Sequence, residues 1–440
     1  MENNMYVSTI ADGVTFRYVR ETRFKNACIA VHFYFPLNRE DVTVNAVLIP
    51  LLCRSCAKYP EYNELRRALA MLYGAVIDTS VSITGSCQVV SVVIDLNDDR
   101  FLPDGESISD ECAELLSEMI FRPAVDEDGT LFREEDLQVT LRNAEERMRS
   151  RINNKAQYAS QRCYEIMCEG ELMAIEPGGY LEDLPDVTRE ALARAWKKIL
   201  STACVEIIMV SGADYQPVEQ IFRREFNAIQ RSCIGAPKPL EYKEPADVRR
   251  VTERMDVKQS KMIMGFRLPL IEPNDRTMAA RMMAMLFGRG PSSLLFKNVR
   301  EKLSLCYSCS ASYSRFSGLM FVRSGIDESN CEKAVEEIQR QLAVIANNEF
   351  TDEEFNACVM FILSSYDNIS DSVGSIEDWY ASQYFDGCIR TPEQAAERVK
   401  AITRSQVAEC ASQAVLDTVY LLAPENPEEC DAAEEVDEDE

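Results

Sequence analysis

The sequence predicts an α+β protein with two homologous domains, each a mixed, mostly antiparallel sheet covered by helices. Apolar and β-prone segments of the first half run in the order strand, helix, strands and then several helices, and the second half repeats that order. Three short segments also match between the halves, in the same order along the chain. A chain of 440 residues is longer than one ordinary core requires. An internal duplication accounts for these observations together.

The three matches have offsets that shrink along the chain, as expected where loops shorten. The aligned positions are Pro36 with Pro269, Glu134 with Glu353, and Thr188 with Thr403, at offsets of 233, 219 and 215 residues. The first pair closes a buried strand, the second opens a helix with charged residues in its first turn, and the third is a threonine N-cap. The alternative is chance recurrence of helix-start patterns, because single caps are common.

Composition places the domain boundary in RSCIGAPKPLEYKEPADV, a stretch rich in proline and polar residues. We predict an N-terminal domain over residues 1–230, a linker over 231–248, a C-terminal domain over 249–424 and a tail over 425–440. The tail has ten acidic residues among sixteen and no basic one. Self-repulsion and the lack of apolar residues predict that it is disordered.

The formal net charge of −26 argues against nucleic acid as a partner, because phosphate backbones are bound through Lys and Arg. No apolar run reaches the roughly 20 residues of a membrane span. The N-terminus also lacks the pattern of a secretory signal. We therefore expect a cytoplasmic protein that does not contact a membrane.

The 16 cysteines are expected to be reduced and to act as small hydrophobic residues. Two C-x-x-C units occur, Cys53 to Cys56 and Cys306 to Cys309, in different halves of the chain. The second unit is expected in a strand, where residues three apart face opposite sides. Neither unit is therefore predicted to bind metal or to be redox-active.

The stretch GRGPSSLLFKNVREKLSLCYSCSAS begins at Gly288. It predicts a turn, a short amphipathic helix carrying Arg300, and a β-prone run containing Tyr307. On residue pattern alone, Arg300 is a helix-end cation, paired with Glu301 or Asp327, and Tyr307 is a half-buried aromatic with a wet hydroxyl.

The turn ahead of that helix contains Gly288 and Gly290. A turn that requires positive φ, followed by a cap from Ser292 or Ser293, explains these residues without any ligand. As a phosphate loop the motif is weak, because it lacks the Lys-Ser/Thr ending and Pro291 removes an amide.

These residues resemble a known family. FGRGPSSLLFKNVREKLSLCYS, FVRSGID and KYPEYNELRRALAMLYGAVIDTSVS, together with the duplicated halves, resemble the pitrilysin/insulinase family of zinc peptidases. The likeness is closest to the subgroup labelled elongation factor P 5-aminopentanol modification-associated protein. It covers about residues 7 to 422 and implies two domains that face each other like a clamshell across a peptide-binding chamber.

Active members of that family bind zinc through H-x-x-E-H on a helix and a carboxylate from a later helix. The matching positions in this sequence are Ala46, Ile49 and Pro50, with Arg147 at the carboxylate position. None of the four can ligate zinc. Glu145 and Glu146 lie beside Arg147, but a lone carboxylate cannot hold catalytic zinc.

The only histidine, His32, lies in the apolar strand IAVHFYF, where a structural role is favoured over metal ligation. No Ser/His/Asp or Cys/His constellation can be built around it. We therefore expect no cofactor in this chain and no zinc peptidase activity from the chain alone.

The resemblance also implies roles for the residues that remain. In active relatives, an Arg and a Tyr spaced as Arg300 and Tyr307 contact the peptide and the developing oxyanion. Gly288, Gly290, Ser292 and Ser293 would line the peptide entrance. Some relatives split zinc and Arg/Tyr between two subunits, and this chain has the pattern of the subunit without zinc.

The leading hypothesis is a non-catalytic subunit that binds a peptide or unfolded polypeptide and completes the site of a zinc-bearing homologue. The alternative is a binding or scaffold protein without proteolysis, assisting protein maturation such as elongation factor P modification. A stand-alone enzyme with unrecognised chemistry is the third reading.

Overall fold

The computed structural model describes residues 4–425, except residue 128 and the segments 236–239 and 272–275. Nearly all of the predicted acidic tail and part of the predicted linker lie outside the described residues. The described chain divides by internal contacts into two compact units, and each has a mixed sheet and several helices.

The first unit is built on a six-stranded sheet with the strand order β1-β2-β6-β3-β5-β4. Its strands are β1 (Met5–Ala11), β2 (Val14–Arg20), β3 (Asn26–Pro36), β4 (Val76–Thr84), β5 (Cys87–Asn97) and β6 (Cys204–Ser211). Only the β2/β6 pair is parallel, and the other neighbours are antiparallel. The long apolar runs of β3 and β6 are buried on both faces, as their composition predicts.

The second unit has a five-stranded sheet with the strand order β7-β11-β8-β10-β9. Its strands are β7 (Arg249–Met255), β8 (Ser260–Arg267), β9 (Ser308–Ser314), β10 (Leu319–Ile326) and β11 (Val415–Pro424). Again one pair, β7/β11, is parallel and the rest are antiparallel. The order and relative directions of these five strands match, strand for strand, those of β2-β6-β3-β5-β4 in the first sheet. The predicted duplication and the predicted α+β fold class are confirmed.

Thirteen α-helices and one π-helix surround the two sheets in the described residues. They are α1 (Val42–Leu52), α2 (Tyr62–Met71), α3 (Ser109–Phe121), α4 (Glu134–Ser150), α5 (Lys155–Met167), α6 (Arg189–Thr202), α7 (Gln216–Asn227), α8 (Thr277–Gly288), the π-helix Phe296–Lys302, α9 (Cys331–Ala346), α10 (Asp352–Asp367), α11 (Val373–Ala381), α12 (Pro392–Lys400) and α13 (Arg404–Ser412). Thr188 and Thr403 cap α6 and α13 through their side chains, as predicted. Among these helices, none has the length and apolar character that crossing a membrane requires.

Each of the two units is formed by three separate stretches of the chain. The first comprises the described parts of Met1–Arg149, Ile175–Lys238 and Ile369–Ile389. The second comprises the described parts of Ser150–Ala174, Pro239–Asn368 and Arg390–Glu440. The predicted division at the linker places α5 in the first domain and α11 in the second. By contacts, each of these helices is grouped with the other sheet.

Helix α11 packs on one face of the first sheet. Its residues Val373, Ile376 and Tyr380 are buried against apolar side chains of β3 and β6, including Ala30 and Ile208. The opposite face of that sheet carries the main core of the unit. Both faces of the sheet are therefore covered, because each carries apolar residues that burial stabilises.

A buried ion pair accompanies this packing. His32 on β3 is 7% exposed, and its Nε2 lies 2.6 Å from Oε1 of Glu377 on α11. The other ring nitrogen, Nδ1, lies 2.7 Å from the Ser91 hydroxyl on β5. The sequence-based expectation of a structural histidine agrees with this placement.

Burial alone would lower the pKa of His32, but the hydrogen bond and charge of Glu377 raise it above the ordinary value, with help from Glu206 and Asp378. The charged imidazolium is therefore favoured in the folded protein. Glu206 is itself buried and paired with Arg17, whose Nη2 lies 2.6 Å from Glu206 Oε1. The face under α11 thus contains a charged network within an apolar surface.

Helix α5 covers one face of the second sheet in the same way. Ala159, Cys163 and Met167 of α5 are buried against β8, β10 and β11. At Gly265 on β8, an added Cβ would lie 2.5 Å from Met167 Sδ, so the absence of a side chain permits this close approach. Beyond the end of α5, Glu171 Oε1 lies 2.7 Å from Nη2 of the buried Arg267. Each sheet is thus joined to its covering segment by a buried ion pair.

We predict that Glu377→Gln destabilises the protein in a pH-dependent way. A group whose folded pKa is raised contributes stability below its unfolded pKa and loses it as pH rises through the folded pKa. At pH 6 we expect a loss of about 3–5 kcal/mol, because a buried charge loses its partner. At pH 9 the loss is smaller, because the charged fraction of His32 decreases as the pH rises through its folded pKa.

The measurement is urea unfolding of both proteins at the two pH values. Glu349→Gln, at an exposed residue, is the control and should leave the urea midpoint unchanged. A loss of equal size at pH 6 and pH 9 would contradict the assignment of this stability to charged His32.

Candidate functional site

The positions matched to the H-x-x-E-H motif lie on α1, where the first two, Ala46 and Ile49, are buried. Ala46 is 5% exposed and Ile49 is 1% exposed, and both have apolar neighbours. Pro50 lies within the helix and is partly exposed. Beside Ala46, Asn45 Nδ2 donates to Gln88 Oε1 on β5 at 3.1 Å. This neighbouring polar contact is a neutral amide pair.

These residues do not fit a zinc ion, because neither alkyl side chains nor proline can donate an electron pair to a metal. Arg147 is exposed on α4, as is Glu146. Glu145 forms an ion pair with Arg149 at 2.7 Å. Within the described part of the chain, no group of three or more His, Cys, Asp or Glu side chains is arranged to hold a metal ion.

Arg300 lies on the π-helix Phe296–Lys302, where the sequence predicted a short amphipathic helix. π-helical turns are rare and are frequent at functional sites. The Arg300 side chain is 42% exposed, and its Nε lies 3.6 Å from Glu301 Oε1, a loose ion pair. Its guanidinium also lies 4.7 Å from the centre of the Phe296 ring. Ser304 follows the helix with a φ of 50°, a left-handed backbone that a non-glycine residue adopts at an energetic cost.

Tyr307 lies just before β9 and is 49% exposed. Its backbone N–H donates to the carbonyl of Gly325 on β10 at 2.9 Å. Its hydroxyl donates to the carboxylate of Asp327, 3.2 Å from each oxygen. The residue pattern predicted Asp327 as a possible partner for Arg300, but in the structure the Asp327 carboxylate accepts from Tyr307.

Three of the four residues singled out in the glycine turn, Gly288, Gly290 and Ser293, have a structural explanation. At Gly288, an added Cβ would lie 2.5 Å from the backbone nitrogen of Ala311 on β9. Gly290 has a φ of 85°. Ser293 is 2% exposed, and its hydroxyl donates to the Gly290 carbonyl at 2.8 Å. Ser292 is partly exposed. A role for these four residues in binding peptide stays a prediction.

Cys306 and Cys309 were expected to lie on one strand and to face opposite sides, but only Cys309 lies on a strand. Strand β9 begins at Ser308, so Cys306 precedes the alternating segment. Interaction with the Cys309 side chain lowers the pKa of Cys306 to about 7, aided by Ser324 and the charge of Arg300 and opposed by burial. Arg300 therefore lies close enough to act on the neighbour of Tyr307.

A cleft of about 770 Å³ lies elsewhere in the first unit, between α2 and α3. Its walls carry Met71, Leu72 and Leu115 together with charged side chains such as Arg67 and Glu111. None of the predicted site residues lines it.

Two comparisons with known proteins find similar sequences that are described as inactive. Residues 186–360 match the family model described as the Peptidase M16 inactive domain. The chain is 25% identical over 410 residues to the probable inactive metalloprotease YmfF of Bacillus subtilis (strain 168). That alignment covers 93% of this chain and 96% of the relative.

Solved structures show the same fold. A conserved protein from Enterococcus faecalis V583 superimposes with a TM-score of 0.85 at 25% identity, covering 96% of this chain and 99% of that one. A peptidase M16 inactive domain from Pseudomonas fluorescens superimposes with a TM-score of 0.76 at 15% identity, with the same coverage. The second likeness concerns the fold alone.

The chain is therefore similar to the Peptidase M16 inactive domain over residues 186–360 and, over most of its length, to a probable inactive metalloprotease. The names of these three similar proteins do not refer to elongation factor P. The narrower resemblance to the elongation factor P subgroup stays a hypothesis.

We predict that Ile49→Glu, which places the family's general-base residue type on α1, destabilises the protein by about 3–5 kcal/mol. The reason is that a charged group would replace a fully buried alkyl side chain. Differential scanning calorimetry measures the change in melting temperature. Pro50→Ala is the matched control and should keep or raise the melting temperature, because proline inside a helix lacks a hydrogen bond. Equal losses in the two variants would contradict a core role specific to Ile49.

Proposed function

We propose that this protein is a non-catalytic, peptide-binding subunit of a heterodimeric pitrilysin-like zinc peptidase. Arg300 and Tyr307 would complete the active site of a zinc-bearing homologue. The observation that carries the proposal is a contrast within one chain. The positions matched to the metal ligands hold side chains that cannot bind zinc, two of them buried, whereas Arg300 and Tyr307 present an exposed guanidinium and hydroxyl on one short segment.

The chemistry of the two side chains fits this division of work. A guanidinium offers several N–H donors in a rigid plane, which suits the carbonyl groups of a peptide. A phenol can donate to the oxygen that becomes negative when a peptide carbonyl is attacked. In the free chain the Tyr307 hydroxyl donates to Asp327, so binding a substrate requires this hydrogen bond to be exchanged.

Edge strands support a peptide as the ligand. Strand β4 lies at one edge of the first sheet, and its side chains alternate between exposed and partly exposed positions. Strand β9, which follows Tyr307, lies at the corresponding edge of the second sheet. An edge strand has unpaired N–H and C=O groups, and an extended peptide can add to it as a further strand.

The test is peptide cleavage by the complex purified from cells that express both subunits. We expect Tyr307→Phe to lower kcat by about 10²–10³-fold, the cost of removing one oxyanion donor. We expect Arg300→Ala to lower kcat/KM by at least about 10-fold, since hydrogen bonds from charged groups contribute about 1.5–3 kcal/mol. Metal analysis of the complex should locate zinc in the partner.

Two control variants remove the same groups elsewhere. Tyr73→Phe removes an exposed hydroxyl that also donates to a carboxylate, that of Glu106. Arg250→Ala removes an exposed guanidinium paired with Glu332. Both should leave cleavage unchanged. Full activity of the Tyr307→Phe and Arg300→Ala complexes would refute the proposed role, as would stoichiometric zinc in this chain alone.

The alternative is a scaffold without proteolysis that assists protein maturation, such as elongation factor P modification. The observation favouring it is the hydrogen bond that already occupies the Tyr307 hydroxyl. Copurification separates the two proposals. A scaffold would be recovered with a client or modifying enzyme and without a zinc-bearing homologue.

A further inference from the structure

Two cysteines that are distant in the sequence are in contact in the first unit. Cys204 is the first residue of β6 and is 7% exposed, and Cys233 follows α7 and is partly exposed. Their Sγ atoms lie 3.2 Å apart, and both side chains are free thiols in the structure. A disulfide bond is about 2.05 Å long, so the two sulfur atoms need only a small further approach to form one.

Backbone hydrogen bonds on both sides of Cys233 maintain this contact. The N–H of Ser232 donates to the carbonyl of Ser201 at 2.9 Å, and the N–H of Ile234 donates to the carbonyl of Thr202 at 3.0 Å. The segment around Cys233 is therefore paired with the residues that lead into β6. The two sulfur atoms meet because the backbone places them together.

The turn between β1 and β2 leaves room for the Cys233 side chain. A Cβ added at Gly13 in this turn would lie 2.2 Å from Cys233 Sγ, so only glycine fits here. The N–H of Cys233 donates to Asp12 Oδ2 in the same turn at 2.9 Å. The same Cβ position lies 3.8 Å from Nη2 of Arg231, so a guanidinium lies near the sulfur. A nearby cation stabilises a thiolate.

We propose that Cys204 and Cys233 form a reversible disulfide by exchange with low-molecular-weight disulfides. The Cys233 thiolate attacks one sulfur of the small disulfide, forms a mixed disulfide and releases one thiolate, which takes up the proton that Cys233 had lost. Cys204 then attacks the Cys233 sulfur, and its proton passes to the second leaving thiolate. Two protein thiols are oxidised to one disulfide, and the small disulfide is reduced to two thiols.

Exposure and contact determine the order of these steps. Cys233 is the more accessible of the two thiols, so it meets the small disulfide first. Burial, followed by the contact with Cys233, raises the pKa of Cys204 to about 12, so this thiol stays protonated at neutral pH and does not start the reaction. Cys204 can nevertheless complete it, because its target sulfur is already in contact and no second collision is required.

The disulfide would connect β6 to the beginning of the segment predicted as a linker, residues 231–248. It joins positions 29 residues apart and therefore restricts the unfolded chain, which stabilises the folded first unit. This inference goes beyond the proposed function and does not depend on it, because Arg300 and Tyr307 take no part. Failure of either proposal leaves the other intact, since one is measured by mass spectrometry and the other by peptide cleavage.

The experiment uses the full-length reduced protein and oxidised glutathione at neutral pH. Remaining thiols are alkylated, and the protein is digested with trypsin without reduction. The tryptic peptides 199–223 and 232–243 each contain one cysteine, Cys204 and Cys233 respectively. We expect these two peptides to be joined, with a mass two hydrogen atoms below their sum, and to separate after treatment with dithiothreitol. The urea midpoint of the oxidised protein should rise and return on reduction.

Variants test both the pair and the order of the steps. Cys204→Ala should lose the joined peptides and the rise in urea midpoint, and should retain a glutathione adduct on Cys233. Cys233→Ser should leave Cys204 as a free thiol, because burial limits direct attack. The control Cys53→Ala, in one of the C-x-x-C units, should form the joined peptides like the unaltered protein.

Three results would overturn the proposal. The first is that peptides 199–223 and 232–243 stay separate in the oxidised, unaltered protein. The second is a lasting glutathione adduct on Cys233 in that protein, because Cys204 would then fail to complete the exchange. The third is loss of the joined peptides in Cys53→Ala, which would show that a different cysteine carries the reaction.

Discussion

Each sheet of this protein carries apolar residues on both faces, and the rest of the structure depends on covering both. A sheet covered on one side only would leave β-branched and aromatic side chains in water. The main helices cover one face of each sheet, and α11 and α5 cover the others. Buried ion pairs at His32 and Arg267 accompany the second layer. A buried charge without a partner is costly, so a segment that covers this face of either sheet must supply the matching charge.

Much of this architecture could be predicted from the sequence. Three short matches predicted the duplication, and the common strand order of the two sheets confirms it. The grouping of α5 and α11 with the other sheet could not be predicted. An amphipathic helix shows in its sequence which of its faces is buried, but not which sheet that face contacts. Long-range contacts of this kind, such as His32 with Glu377, have no local signal.

For the candidate site, too, the sequence alone showed which residues are present but not how their side chains are arranged. Residue identity alone excluded zinc ligation at Ala46, Ile49 and Pro50, since this follows from chemistry at any geometry. The interaction that lowers the pKa of Cys306 was missed because strand β9 was expected to begin before Ser308. A boundary error of two residues changes which side chains share a face. The C-x-x-C spacing was the signal that could have found the pair, had the segment been assigned to a loop.

Helix α11 also constrains how the chain is made. The first sheet is complete once β6 has been synthesised, yet the helix that covers its second face begins only at Val373. At ~5–20 residues per second, the ribosome needs roughly 10–30 s to reach that helix. During this interval the face formed by β3 and β6 is without its native cover on a nascent chain. The N-terminal half therefore cannot finish folding during its own synthesis, because one face of its sheet waits for a helix from the C-terminal half.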